Sequence, residues 1–368
     1  MRFFNSIIGA AVAIGLLAAC SGTNAGSTSS SLPNPGQQSG ARGLVHAPLS
    51  LVGAWMLPAG IKRLHLDTPV LPAKKSKKGL IYASNFYKSE MWGFPNPNNS
   101  NGPATCTLGT SSKYLDDVNG FGIDPKGDVL VPGYTGQDNG YLSINVFAPN
   151  CGSLLWQAEI SSGQPADAYS SNGATGTVLV GLLADYSNND YGAAVLCTES
   201  AGCGTPITNT SITGYVAGVA MAKNGDCWLS GATSTTSGFV LVYFKGCTGA
   251  GEAATGTSNA SYGGLFIDTK GQLGSVDAVS SKLYVYSGCN PACSLVSTSS
   301  LHGESFFGGL DKKGKNLALG DFENQEVDIY TYSPTKGATY SYTFNNGLAS
   351  GTENDVETGH FAPRNKKV

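Results

Sequence analysis

Three carboxylates in this sequence recur at one position of a repeated segment: Asp117, Glu304 and Asp355. Asp117 and Glu304 each stand ten residues before a glycine, Gly127 and Gly314, that opens a short apolar run. Asp355 joins them because "DVETGHFAP" near the C-terminus parallels "DVNGFGIDP" at 117–125. Brought together, three acids repel one another unless a cation or hydrogen-bond donors compensate. Calcium, which takes six to eight oxygen ligands, suits such a set best. Asn119, Asp167, Tyr215, Tyr262 and Glu357 place further ligand-binding side chains around the same position. The acids could equally cap backbone N–H groups or face a water-filled channel, and both readings stand at this level.

Proton-transfer candidates are few, because the chain has only 4 histidines. His360 falls within the tail copy of the repeat and His302 just before Glu304, so these two are the candidate general bases. His46 and His65 lie outside the repeats. The sequence contains no G-x-S-x-G, H-E-x-x-H or phosphate-loop motif, which leaves no signature of a serine nucleophile, a zincin or a P-loop. A net charge of −3, with no basic stripe carrying interleaved aromatics, argues against a nucleic-acid partner.

What must position these residues is a repeat. Six segments share a glycine followed by a strand-like run: "GLIYASNF", "GDVLVPGY", "GTVLVGLL", "GDCWLSGA", "GQLGSVDA" and "GKNLALGDF". They begin at Gly79, Gly127, Gly176, Gly225, Gly271 and Gly314, with spacings of 48, 49, 49, 46 and 43 residues. An inner segment precedes most of them, as in "DVNGFGIDPKG" and "SYGGLFIDTKG", while "ADAYSSNGATG" before Gly176 is degenerate. Each unit adds a third run rich in β-branched and aromatic residues, such as "FVLVYF" and "VDIYTYS", and a weaker fourth, such as "LLWQAEI". Four short strands per ~45 residues, joined by Gly-rich turns, predict an all-β propeller of six four-stranded blades. The chain enters at Gly79 on a second strand, and the tail supplies the missing inner strand. The C-terminal strand is therefore expected to close the ring and remove unpaired sheet edges.

The pattern G-x-x-x-D-x-x-G followed by apolar residues, with "NQEVDIYTYS" and its relatives, resembles NHL-type repeats and the wider gluconolactonase-like six-bladed group over about 79–363. That resemblance implies the fold. It leaves activity open, because the group includes lactonases, lyases and non-enzymatic binding proteins. It also implies a divalent cation at the channel mouth, held by acidic and Asn ligands.

The ends point to export. Residues 1–19, with Arg2 and the apolar run from Ile7 to Ala19, followed by "LAAC", resemble a bacterial lipoprotein signal. The resemblance implies cleavage before Cys20 and a lipid on its thiol, with Ser21 favouring the outer membrane. Residues 20–44 read as a flexible Ser/Gly/Asn/Pro tether, 45–78 as a leader packed on the propeller, and 79–368 as the propeller itself. Eight cysteines follow Cys20, and in an exported chain an even number favours disulfides. The expected pairs are Cys197–Cys203, Cys289–Cys293, Cys227–Cys247 and Cys106–Cys151. The resulting expectation is a monomeric, membrane-anchored binding module that engages a protein, glycan or small molecule through its channel-mouth face. The alternative is a calcium-dependent lactonase- or lyase-like enzyme using the same face.

Overall fold

The computed structural model describes residues 79–85, 90–95, 104–108, 120–135, 141–160, 167–174, 176–183, 193–213, 216–232, 239–257, 263–321, 324–344, 348, 356 and 358–362. The expected signal, Cys20, the tether and the leader lie outside the described residues. So do Asp117, Asn119, Tyr215, Tyr262, Asp355 and Glu357.

The described residues form mostly antiparallel strands with one short 3-10 turn at Lys245–Cys247, and the architecture is a β-propeller. Among them, no helix is long and apolar enough to cross a membrane. The second unit contains β4 (Gly122–Ile123), β5 (Val129–Thr135), β6 (Tyr141–Phe147) and β7 (Leu154–Glu159) in one sheet. The third contains β8 (Asp167–Ala174), β9 (Thr177–Leu183), β10 (Ala193–Thr198) and the short β11 (Gly202–Cys203) and β12 (Ile207–Thr208). The fourth is β13 (Val216–Met221), β14 (Cys227–Ala232), β15 (Phe239–Phe244) and β16 (Glu252–Ala253). The fifth is β17 (Leu265–Ile267), β18 (Leu273–Asp277), β19 (Lys282–Ser287) and β20 (Ser294–Ser300). The sixth is β21 (Ser305–Leu310), β22 (Asn316–Asp321), β23 (Glu326–Ser333) and β24 (Gly337–Phe344).

The first unit is built from both ends of the propeller. The C-terminal strand β25 (Thr358–Ala362) pairs antiparallel with β1 (Leu80–Asn85), in the register Leu80↔Ala362 to Ala83↔Gly359. β2 (Glu90–Pro95) and β3 (Cys106–Leu108) complete the sheet. β25 also pairs in parallel with β21 of the sixth unit, so these two units run together as one eight-stranded sheet.

The local reasons for this architecture are visible in the turns. All six repeat glycines have positive φ, from +62° at Gly314 to +93° at Gly127, a region that residues with a Cβ rarely adopt. Asp268 shows why aspartate precedes such a glycine: its Oδ1 accepts the backbone N–H groups of Lys270 (2.8 Å) and Gln272 (2.9 Å). Asp124 and Asp311 make the same kind of turn. Burial then falls from the axis outward. Every residue of inner β13 is buried, whereas outer β20 is mostly exposed or half-buried. Between units the apolar faces interlock, as where Ile81, Phe94, Val327, Ile329, Phe344 and Phe361 share one core.

Side chains stitch neighbouring units. Tyr82 accepts the Cys151 backbone N–H, Ser171 donates to Leu130, Trp228 donates to Cys289, and Tyr332 donates to Asp268. All four expected disulfides are present: Cys106–Cys151, Cys197–Cys203, Cys227–Cys247 and Cys289–Cys293. The first ties two units together across a Cα separation of 6.1 Å, and the other three each lie within one unit.

Candidate functional site

Among the described residues, a group of potential metal ligands sits at one end of the sixth unit. Ladder pairing shows why they meet. Ser305 is opposite Asp321, Asp321 is opposite Glu326, and Asp328 is opposite Thr343. Cross-strand partners share a sheet face, and residues two apart on a strand share it too. Ser305, Asp321, Glu326, Asp328 and Thr343 therefore project from the same face. His302, in the loop entering β21, turns over that face and places Nδ1 3.3 Å from Asp328 Oδ2 and 3.8 Å from Glu326 Oε1. One ligand atom from each of His302, Asp321, Glu326 and Asp328 lies within 4.8 Å of all the others.

Each side chain is held by neighbours. The Thr343 hydroxyl donates to Asp328 Oδ1 at 2.7 Å, and Tyr330 donates to Asp328 Oδ2 at 3.1 Å. Tyr330 in turn accepts the His302 backbone N–H at 2.9 Å, anchoring the loop that carries the imidazole. Asn324 donates through its backbone and its side chain to the two oxygens of Asp321. Gly303 has φ +76°, and a Cβ there would collide with the Asp321 carboxylate. Above the cluster the His302 ring stacks on Tyr340, with centroids 4.5 Å apart and planes 25° apart. Both rings are open to solvent: the His302 side chain is 49% exposed and Tyr340 is 42% exposed.

The electrostatics follow from burial. Asp321, Glu326 and Asp328 are all buried. Desolvation pushes the Asp328 pKa up to about 6, and the nearby Asp321 charge adds to the rise. Glu326 is also raised, chiefly by burial and then by Asp328 and Asp321. Burial holds Tyr330 well above the ordinary phenol range, so it remains a donor to Asp328. The arrangement can bind a cation, or share protons among its acids. Its exposed aromatic lid offers a contact surface for a ligand.

The residues singled out from sequence are placed unequally. Glu304 is half-buried immediately before β21, two positions from His302. Asp167 starts β8 and pairs with Leu183, with its side chain outside the described residues. His360 sits on β25, packed against Gly309 and near Phe121, with Nδ1 donating to its neighbour's carbonyl, Phe361 O, at 3.0 Å. Crowding by protein atoms pulls its pKa down to about 4. Asp321, Glu326 and Asp328 were absent from the sequence candidates, since "GDFENQE" reads first as a solvated turn. The signal that could have found them is the D-x-x-x-x-E-x-D spacing across a hairpin, opposite a loop histidine.

A second concavity of about 430 Å³ lies between the second and third units, lined by Asp124, Lys126, Asp128, Trp156, Thr198 and Glu199. It is bordered by the turns that join first and second strands and contains none of the sequence-derived site residues.

No family model matches the chain, and no curated protein matches it. Among solved structures, it is similar to a chain of a nidogen/laminin complex at 13% identity, covering 78% of this chain and 99% of that one, with a TM-score of 0.53. It is also similar to the Dos1 propeller (13% identity, 73% and 68% coverage, TM-score 0.42). A third similar chain is virginiamycin B lyase from Staphylococcus aureus (12% identity, 77% and 88% coverage, TM-score 0.44). At these identities likeness bears on fold alone.

Proposed function

We propose that this protein is an exported, lipid-anchored binding module whose six-bladed, NHL-type propeller engages its ligand through the end carrying His302 and Tyr340. In this reading the signal is removed before Cys20, the lipidated cysteine holds residues 20–44 as a tether in the cell envelope, and 45–78 packs on the propeller. The six four-strand units form one ring, with β25 closing it against β1 and β21.

One observation carries the functional reading: an exposed, stacked His302–Tyr340 pair lies directly over a buried cluster of three carboxylates. Flat, half-exposed rings with fixed polar groups beneath them provide contact area at low entropic cost. Of the acids singled out from sequence, Glu304 lies two positions from His302, at the same end of the sixth unit.

A second reading is favoured by the same cluster. Four potential ligands within 4.8 Å would allow a metal-dependent lactonase- or lyase-like reaction in which the ion polarises a carbonyl. The two separate in one experiment. Purified full-length protein is screened by thermal shift against oligosaccharides, peptides and lactones, with product formation followed in parallel. A ligand that raises the melting temperature of the wild type, loses that effect in Tyr340→Ala and is recovered unchanged supports the binding module. Multiple turnovers of a lactone, abolished in Asp328→Asn, would overturn it in favour of the enzyme.

A further inference from the structure

We propose that His302, Asp321, Glu326 and Asp328 form a site for a single divalent first-row transition-metal ion, of the zinc or manganese class. The proposal deepens the binding reading above, because the site lies in the face assigned to the ligand. It differs from the calcium expected from sequence in both residues and metal.

Three observations point to an ion. The first is reach. Ligand atoms around a tetrahedral ion stand roughly 3.3–3.6 Å apart when the metal–ligand bonds are about 2.0–2.2 Å. Four ligand atoms within 4.8 Å of one another can therefore close on one ion through sub-ångström side-chain shifts. The second is orientation. Metal ligands are ordinarily fixed by outer hydrogen bonds, and here Thr343 and Tyr330 hold Asp328, Asn324 holds Asp321, and Tyr340 stacks on the imidazole. The third is an unmet donor. Ser305 is fully buried on the same face, beside the Tyr330 hydroxyl, and among the described residues its Oγ has no partner at full hydrogen-bond geometry. A metal-bound water would give it a partner.

Charge and donor type then select the ion. Among the described residues, His302 is the only basic side chain paired with the cluster, leaving three buried carboxylates under-compensated. A divalent cation removes that imbalance. An imidazole nitrogen in the set favours zinc-class ions over calcium and magnesium, which take oxygen ligands, while three carboxylates keep manganese within the class.

The test uses the full-length protein, stripped with chelator and titrated calorimetrically with zinc, manganese and calcium salts. Cobalt substitution adds an absorption readout that depends on the ligand set. The expected result is one equivalent of zinc or manganese bound more tightly than calcium. Affinity should fall by about 10–100-fold in His302→Gln and further in Asp328→Asn. His302 is half-exposed, so its substitution leaves the core intact, and circular dichroism confirms the fold of each variant. Absence of zinc and manganese binding, tighter binding of calcium, or unchanged zinc affinity in folded His302→Gln would each overturn the site. The binding face fails separately: a ligand whose effect survives Tyr340→Ala refutes the face and leaves the metal result standing.

Discussion

His360 shows how strongly position outweighs residue type. A histidine in a channel reads as a general base, yet this one is crowded by protein atoms and holds its pKa down at about 4. The sign of the consequence is definite. Its folded pKa lies below the 6.5 of an unperturbed histidine, so the unfolded chain binds the proton first. The stability it contributes is full above about pH 6.5 and is lost as pH falls towards 4. The loss is on the order of 2–3 kcal/mol. Urea melts at pH 7 and pH 4.5 should show the wild type losing more stability than His360→Gln over that interval. Equal losses would show that His360 does not titrate as described. Glycine gives a second prediction at this scale. Gly225 has φ +90° with open space around it, so Gly225→Ala meets only backbone strain, roughly 1–2 kcal/mol. At Gly308 a Cβ would strike the carbonyls of Ala318 and Gly359, so Gly308→Ala must shift two strands. Thermal melts should rank Gly308→Ala well below Gly225→Ala, and the reverse order would contradict the close approach of β21 to β25.

At the scale of elements, the strands were readable because period and turn chemistry agree. The Asp-x-x-Gly turn announces three of the first-to-second strand connections, and Gly127, Gly271 and Gly314 take the positive φ that it requires. Even the degenerate segment at 167–174 forms β8, since packing beside β13 decides where local signal is weak. The cluster of His302, Asp321, Glu326 and Asp328 was not legible, and the reason is physical. Its residues come from a loop, the end of β22 and the start of β23, and only the register of β21, β22 and β23 brings them onto one face. Sequence spacing shows which residues recur across units, whereas among the described residues this cluster occurs in one unit only. In the tail, β25 pairs antiparallel with β1 through Leu80↔Ala362 and parallel with β21. Deleting residues 353–368 removes that strand and exposes Ile81, Ala83 and the backbone of β1, all now buried. The truncated chain should aggregate or melt well below the full-length protein by calorimetry. A truncation with unchanged melting would refute closure by β25.

For the whole molecule, the arrangement places a polar, aromatic-lidded site at one end of the sixth unit and a separate groove at the turns between the second and third. The proposed tether, anchored through Cys20, would present the propeller to ligands at a membrane surface. The central claim is that the end carrying His302 and Tyr340 is the face that meets a partner. Site-specific photocrosslinking in intact cells tests it most directly, with the crosslinker placed either at Tyr340 or at the exposed Leu155 of the second unit. The account predicts a discrete adduct from position 340, diminished by the additional change His302→Gln and absent from position 155. An adduct from position 155 alone, or equal adducts from both, would contradict it.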